Sequence, residues 1–415
     1  MNRWPQWILF ILALLIILGS SFTAGVVVER NGALPGSILR EEPQGLAEQF
    51  TIFWEAWNIV ERHFVDRSAV DAKEMTYGAI EGMLGALGDA GHTRFMTPEE
   101  AAFQSSDISG QFYGIGAELG EKDGYPIIVA PMDDSPAQKA GIKAGDILVE
   151  VEGQTVAGLS LDRVVRMVRG PEGTPVTLKV IHPGENSLTE ITIIRGKITV
   201  HPVSWAMLPG TDIAHLRLSQ FNANAGREIV AAIKELKAAG ARALVLDVRS
   251  NSGGLLDQCI EVTSQFIPSG DVLIERNAEG NQKVHSVTSG GQATDMPLVV
   301  LVNRGTASAA EILAGAVQDN NRGQVVGETT FGTGTVLSSF RLSDGSAILL
   351  GTSEWLTPSG RQIWKKGIEP DITVTLSPDA EVVIPRMELE MTPEQLRAIT
   401  DAQLLKAIEL LEKGS

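Results

Sequence analysis

The sequence predicts a layered α/β domain joined to a smaller β-rich module, with a helical region ahead of both and a transmembrane helix at the N-terminus. Three observations carry this expectation. Ala243–Val248 and Pro297–Val302 are unbroken apolar runs, as strands covered on both faces require. Each leads into a turn and then a helical pattern, Leu255–Phe266 and Ala307–Val317, and strand, turn, helix in repetition is the order of an α/β layered fold. Residues 110–197, in contrast, alternate short strand-like runs with turns.

The elements follow in chain order. Trp7–Val28 is a stretch of 22 residues without a charge. At about 1.5 Å rise per residue it spans a bilayer core of about 30 Å. It is longer than the roughly 7–15 apolar residues of a cleaved signal peptide. Arg3 precedes it and Glu29, Glu41 and Glu42 follow, which places the rest of the chain on the extracytoplasmic side of a cell membrane as a single-pass protein. Residues 29–45 carry Gly, Pro and Glu without a period and form a linker. Residues 46–109 are a helical cap region: Leu46, Phe50, Phe53, Trp57, Val60 and Phe64 recur at helical spacing, and a second helical stretch runs over 70–87. Within 110–197, Ile127–Ala130, Ile147–Val151, Val176–Ile181 and Ile191–Ile194 read as strands and Leu161–Val168 as a helix. The α/β domain takes 198–380. The segment 381–415 holds a helix announced by Thr392-Pro-Glu-Gln395, a capping box with Pro at the first helical position.

Composition excludes several functions. The net charge of −17 and the lack of any basic stripe argue against nucleic acid. Cys259 is the only cysteine, in an apolar setting that suits an inert core thiol. His63, His182, His201, His215 and His285 are scattered without ligand spacing, so neither a metal nor another cofactor is expected. Asp123, Asp133 and Asp134 sit in turns and need no chemistry, and Trp54 and Trp57 suit core or membrane-proximal packing.

Chemistry concentrates in two turns. Ser308, in Asn303–Ile312, follows a buried strand at a helix start, where free N–H groups and the helix dipole stabilise a developing oxyanion. Asp247–Gly254 also follows a buried strand, and its glycines let backbone approach a ligand closely. Taken alone, Ser308 suits a plain helix cap and the glycines a tight turn.

Together with Gly305–Glu311, Gly327–Gly332, Thr357–Arg361 and Lys366–Asp371, in that order, these turns resemble the carboxyl-terminal processing peptidases of the S41 serine peptidases, the tail-specific protease type. Residues 110–197 are similar to their PDZ domain, with Tyr113–Gly116 and Ala140–Asp146 matching its motifs. The resemblance implies a crotonase/ClpP-like layered catalytic domain, Ser308 as nucleophile, and an oxyanion hole from the N–H of Ala309 and of Gly253 or Gly254. It also implies that Gly114, Ile115 and Gly116 hold a substrate's C-terminal carboxylate, so the partners are proteins or peptides with a free C-terminus. It leaves room for a homo-oligomer.

The match departs at the catalytic base. Where the family motif reads Gly-Lys-Gly-Thr-Val-Gln, this chain has Gly332-Thr-Gly-Thr-Val-Leu337. The lysine position is Thr333 and its supporting glutamine position is Leu337, which removes a serine–lysine dyad there. His92, in Gly88-Asp-Ala-Gly-His-Thr93, resembles a glycine-histidine-threonine signature of tricorn-like relatives and is the candidate base. Lys365 and Lys366 are the other candidates. The expected function is a membrane-anchored serine endopeptidase acting near protein C-termini. The alternative is a non-catalytic PDZ scaffold that binds such termini.

Overall fold

The computed structural model describes residues 45–413 apart from Ala90, Gly91, Ser109, Gly110, Asp123, Asp133, Asn186 and Pro378. The expected span Trp7–Val28 and the linker up to residue 44 lie outside the described residues. Among the described residues no helix is long and apolar enough to cross a membrane. The chain divides into two units, 1–76 and 77–415. In the first, the predicted apolar stripe forms the helix Ala47–His63, on which Phe50, Phe53, Trp54 and Trp57 touch ring to ring.

In the second unit a six-stranded sheet organises the α/β layer. Val203–Met207 pairs antiparallel with Ile213–Leu218, and Ala243–Asp247, Leu298–Val302, Gln324–Gly327 and Ile372–Thr373 follow in parallel. Alternate side chains explain why the two predicted runs are apolar throughout. Leu244, Leu246, Leu298 and Val300 enter a core with the helices Ala225–Ala238, Leu256–Thr263 and Ala309–Asp319. Ala243, Val245, Val299 and Leu301 enter another core on the opposite face, closed by Leu404, Ala407, Ile408 and Leu411. Each fully buried Leu or Val contributes about 1.5–3 kcal/mol.

The tail differs from expectation. The capping box at Thr392 forms, but its helix Pro393–Arg397 is brief, and Asp401 opens the longer helix Ala402–Lys413 by accepting the Leu404 N–H at 3.0 Å. A five-stranded antiparallel sheet also joins Arg94–Met96, Asp271–Asn277, Gln282–Ser286, Thr335–Arg341 and Ala347–Leu356. Its hairpin strand Thr335–Arg341 is too polar to stand out in the sequence.

The β-rich module contains all four predicted strands, within Tyr125–Pro131, Ile147–Val151, Pro175–Ile181 and Leu188–Ile194, and the helix Leu161–Val168. It has its own core, with Ile128, Leu148, Val164 and Leu178 fully buried. Ala117–Lys122 lies at one edge of its sheet. Cys259 is fully buried, and burial pushes its thiol up to about 12, so it is the inert core thiol expected.

A charged network is buried where the central strand meets the tail. Arg249 bonds Asp247 through Nε at 3.0 Å and Nη2 at 2.8 Å, and Asp401 through Nη1 at 2.8 Å. His215 bridges Glu388 through Nδ1 at 2.6 Å and Asp247 through Nε2 at 3.3 Å, and Arg217 adds a bond to Asp247 at 3.0 Å. Three cationic and three acidic side chains thus meet, with Arg249, His215, Asp247, Glu388 and Asp401 at most 2% exposed. Removing one partner from such a pair leaves an uncompensated buried charge. Asp401→Ala is therefore expected to cost about 3–5 kcal/mol in urea denaturation. Burial alone would lower the His215 pKa, but its bonds to Asp247 and Glu388 hold it above the usual imidazole value. The contribution of the imidazolium is complete below about pH 6.5 and is lost as pH rises through the raised value. Stability should therefore decline as pH rises above about 6.5, and His215→Gln should flatten that decline.

Candidate active site

Ser308 stands between the strand Leu298–Val302 and the helix Ala309–Asp319, half-buried, in the left-handed region at φ 54°. A serine held there, outside helical geometry, is strained and needs its surroundings to fix it. The neighbouring turns do so. Ala307 N–H donates to Asn251 O at 2.9 Å, the Thr306 hydroxyl to Val248 O at 2.9 Å, and Phe331 N–H to Thr306 O at 3.0 Å. Three turns at the carboxyl ends of adjacent parallel strands are thus bonded to one another, and this end of an open α/β sheet is where its sites form.

Glu311 is the centre of this arrangement. Fully buried, its carboxylate accepts Ser308 N–H at 2.8 Å and Thr333 N–H at 2.8 Å on Oε2, and Gly332 N–H at 2.7 Å and the Thr330 hydroxyl at 2.5 Å on Oε1. Burial pushes its pKa up, and these four donors pull the other way.

The glycine turn comes against Ser308 as expected, with one correction. Gly253 N–H donates to Asn251 Oδ1 at 2.8 Å, so this amide is already used. Gly253 supplies space instead. A Cβ there would stand 2.7 Å from Ser308 Cβ and 2.9 Å from Ala309 N, on a residue with φ 97°. The N–H groups of Gly254 and Ala309 enter no described hydrogen bond. Gly254 is exposed, and a Cβ on it would meet Phe221 O at 2.3 Å.

His92 lies in the same unit, 12% exposed, edge-on to the Phe331 ring. Its Nδ1 is 3.3 Å from Asp89 Oδ1 and its Nε2 is 2.8 Å from Thr333 Oγ1. Asp89 also accepts from the Thr93 hydroxyl at 2.7 Å and from Trp364 Nε1 at 3.1 Å. Burial pushes the Asp89 carboxyl up, but the Thr93 and Trp364 bonds and the nearby His92 hold it below the usual range. An ionised Asp89 can only accept, so Nδ1 carries a proton, and in the neutral imidazole the Nε2 lone pair takes the Thr333 O–H. The residue in the vacated lysine position is therefore hydrogen-bonded to the candidate base. The described partners of His92 do not include Ser308.

Neither lysine candidate adjoins Ser308 through a described bond. Lys365 Nζ donates to Gly88 O at 3.0 Å and lies 4.5 Å over the Trp364 ring. Lys366 is exposed, with its N–H on Ile363 O. Leu337 is half-buried in a small apolar cluster with Met96, Ala347 and Leu349. Sequence reasoning missed Asp89, Asn251 and Trp364. Asp89 had a signal, three residues before His92 in one short loop; Trp364 had none.

Ile115 and Gly116 line a groove of about 440 Å³ between the edge strand Ala117–Lys122 and the helix Leu161–Val168 of the β-rich module, and Gly114 ends the strand that precedes them. Leu119, Leu161, Val165 and Val168 make its walls apolar. The carbonyls of Ile115 and Gly116 accept from Ala137 and Met132, while no described hydrogen bond uses their N–H groups. Arg169, also in the lining, stacks its guanidinium 3.7 Å over Phe112 and 4.3 Å over Phe103.

A nucleophile-type serine against free amides, on an α/β sheet with a peptide-groove module, defines a serine hydrolase that handles polypeptide. Comparison with known proteins agrees. The peptidase family S41 pattern matches residues 212–374 and the PDZ domain pattern residues 127–181. The carboxyl-terminal-processing protease of Synechocystis sp. is 35% identical over 99% of this chain and 93% of its own length. The carboxy-terminal processing protease CtpA of Bacillus subtilis is 36% identical over 78% of this chain and 68% of its own. A solved photosystem II D1 C-terminal processing protease is 33% identical, with 79% of this chain and 93% of its own covered at a TM-score of 0.48. The chain belongs to peptidase family S41. It is a serine peptidase that carries a PDZ domain.

Gly253→Ala tests the geometry of the serine turn. The added methyl would press on Ser308 and Ala309, so peptidase activity should fall about 10²-fold or more, as on loss of an oxyanion donor. Far-ultraviolet circular dichroism should remain that of the folded protein.

Proposed function

We propose that this protein is a membrane-anchored processing peptidase that cuts polypeptides near their C-terminus. The observation that carries this is the chain of contacts from Ser308 to the Asp89–His92 pair: Ser308 N–H and Thr333 N–H share the Glu311 carboxylate, and the Thr333 hydroxyl bonds His92. Ser308 Oγ attacks the peptide carbonyl, and the oxyanion settles on the N–H groups of Ala309 and Gly254. His92, oriented by Asp89, acts as general base and afterwards gives the proton to the leaving amine; water then releases the acyl-enzyme.

The groove recruits the substrate. An extended C-terminal segment adds as a strand beside Ala117–Lys122, and its carboxylate meets the N–H groups of Ile115 and Gly116. Gly114 shapes this loop through its ladder pairing with Gly196. Arg169 adds a cation to the same lining. The uncharged stretch Trp7–Val28 after Arg3 supports a single membrane span with the catalytic part on the extracytoplasmic side. The scaffold alternative is not favoured, because the chain belongs to a peptidase family and an acid–histidine pair stands where the lysine is absent.

The test is digestion of an unstructured protein with a free C-terminus by the full-length chain in detergent micelles. Ser308→Ala and His92→Ala should each abolish cleavage, and amidating the substrate C-terminus should raise KM. Cleavage that survives His92→Ala would remove the imidazole from the mechanism. No cleavage by the unaltered chain, with peptide binding intact, would return the scaffold alternative.

A further inference from the structure

Among the described residues, the side chain bonded to the Nε2 of His92 is Thr333, the residue in the position where the family resemblance expects a lysine. Thr333 is also tied to the nucleophile. Its N–H and that of Ser308 converge on the same oxygen, Glu311 Oε2, each at 2.8 Å. The two backbones therefore stand side by side on one buried carboxylate. Thr333 is only 5% exposed, and it reaches His92 at 2.8 Å while the imidazole is held from behind by Asp89.

We propose that the Thr333 hydroxyl is a catalytic residue that relays the proton between Ser308 and His92. This rests on the peptidase reading above. A threonine hydroxyl is no base at neutral pH, but it gives one proton while taking another. The Ser308 hydroxyl donates no described hydrogen bond; in the attack step it turns to Thr333 Oγ1, the Ser308 O–H bond breaks and its proton passes to that oxygen. Thr333's own proton passes to His92 Nε2, leaving an imidazolium against Asp89. The Ser308 oxygen forms the bond to the carbonyl carbon, whose π electrons move to the oxyanion. On collapse the proton returns from Nε2 through the same hydroxyl to the leaving nitrogen as the carbon–nitrogen bond breaks. Protons and electrons balance without a co-reactant. The charged groups around this line are Asp89 behind His92, Glu311 beneath both backbones, and Lys365, whose ammonium is on Gly88 O.

The relay makes Thr333 differ from a residue that only packs. In the full-length chain, Thr333→Val keeps shape and removes the hydroxyl, whereas Thr333→Ser keeps the hydroxyl. With the protein substrate, Thr333→Val should lower kcat by about 10²–10⁴, the usual contribution of a positioned proton transfer, with KM little changed. Thr333→Ser should restore most of that loss. Thr333→Lys in a His92→Ala background should recover Ser308-dependent cleavage over His92→Ala alone, with its pH profile moved to the alkaline side, because a lysine there would address the same serine. Three outcomes would overturn the relay: full activity of Thr333→Val while His92→Ala is dead; equal loss in Thr333→Val and Thr333→Ser; or no recovery by lysine in a double variant that keeps its thermal transition. The first of these would put His92 directly on Ser308 and leave the peptidase reading standing. Survival of cleavage in Ser308→Ala, or no cleavage by the unaltered chain, would sink that reading itself.

Discussion

The buried carboxylate of Glu311 is the interaction on which the site depends. A charge taken out of water is costly unless several hydrogen bonds replace its hydration. Here two backbone N–H groups on one oxygen, and a third N–H with a hydroxyl on the other, do so. Those four donors come from the nucleophile's own turn and from the loop 330–333. Satisfying one side chain therefore sets the relative position of Ser308 and Thr333. The positive φ of Ser308 is tolerable for the same reason: its N–H has a charged partner that a relaxed backbone would lose.

A second buried charge arrangement works at a larger scale. Arg249 leaves the end of the central strand and reaches Asp401 at the start of the last long helix. Arg249 lies within the turn Asp247–Gly254 that meets Ser308, so the tail's docking is bonded to the base of the catalytic turn. The same tail supplies the apolar residues that cover the sheet's second face. Stability and site geometry are in this way properties of one packing arrangement.

The groove module and the serine turn use backbone amides toward the same end. In each, N–H groups enter no described hydrogen bond, the arrangement that backbone needs in order to receive an anion. In both, a glycine stands where the surrounding packing leaves no room for a Cβ. At Gly116 that Cβ would meet Ser135 at 2.6 Å, and at Gly253 it would meet Ser308 at 2.7 Å.

The sequence by itself determined the layered α/β class, the strands of the β-rich module and the nucleophile candidate. Each is written in local pattern: an unbroken apolar run buries two faces, alternation buries one, and a serine after a strand sits at a helix start. It located Gly253 and Gly254 but could not tell which amide is free, because that depends on whether Asn251 folds back to accept one of them. It showed that the lysine was missing and that a histidine stood more than two hundred residues away in the chain, without showing that the two positions touch. Only the tertiary structure decided that, by closing Thr333 onto His92 and His92 onto Asp89. The burial of His215 among acids and the reach of Arg249 into the tail were likewise invisible. The physical reason is common to all of them: hydrogen bonds between residues far apart in sequence leave no periodicity, and only packing brings their ends together.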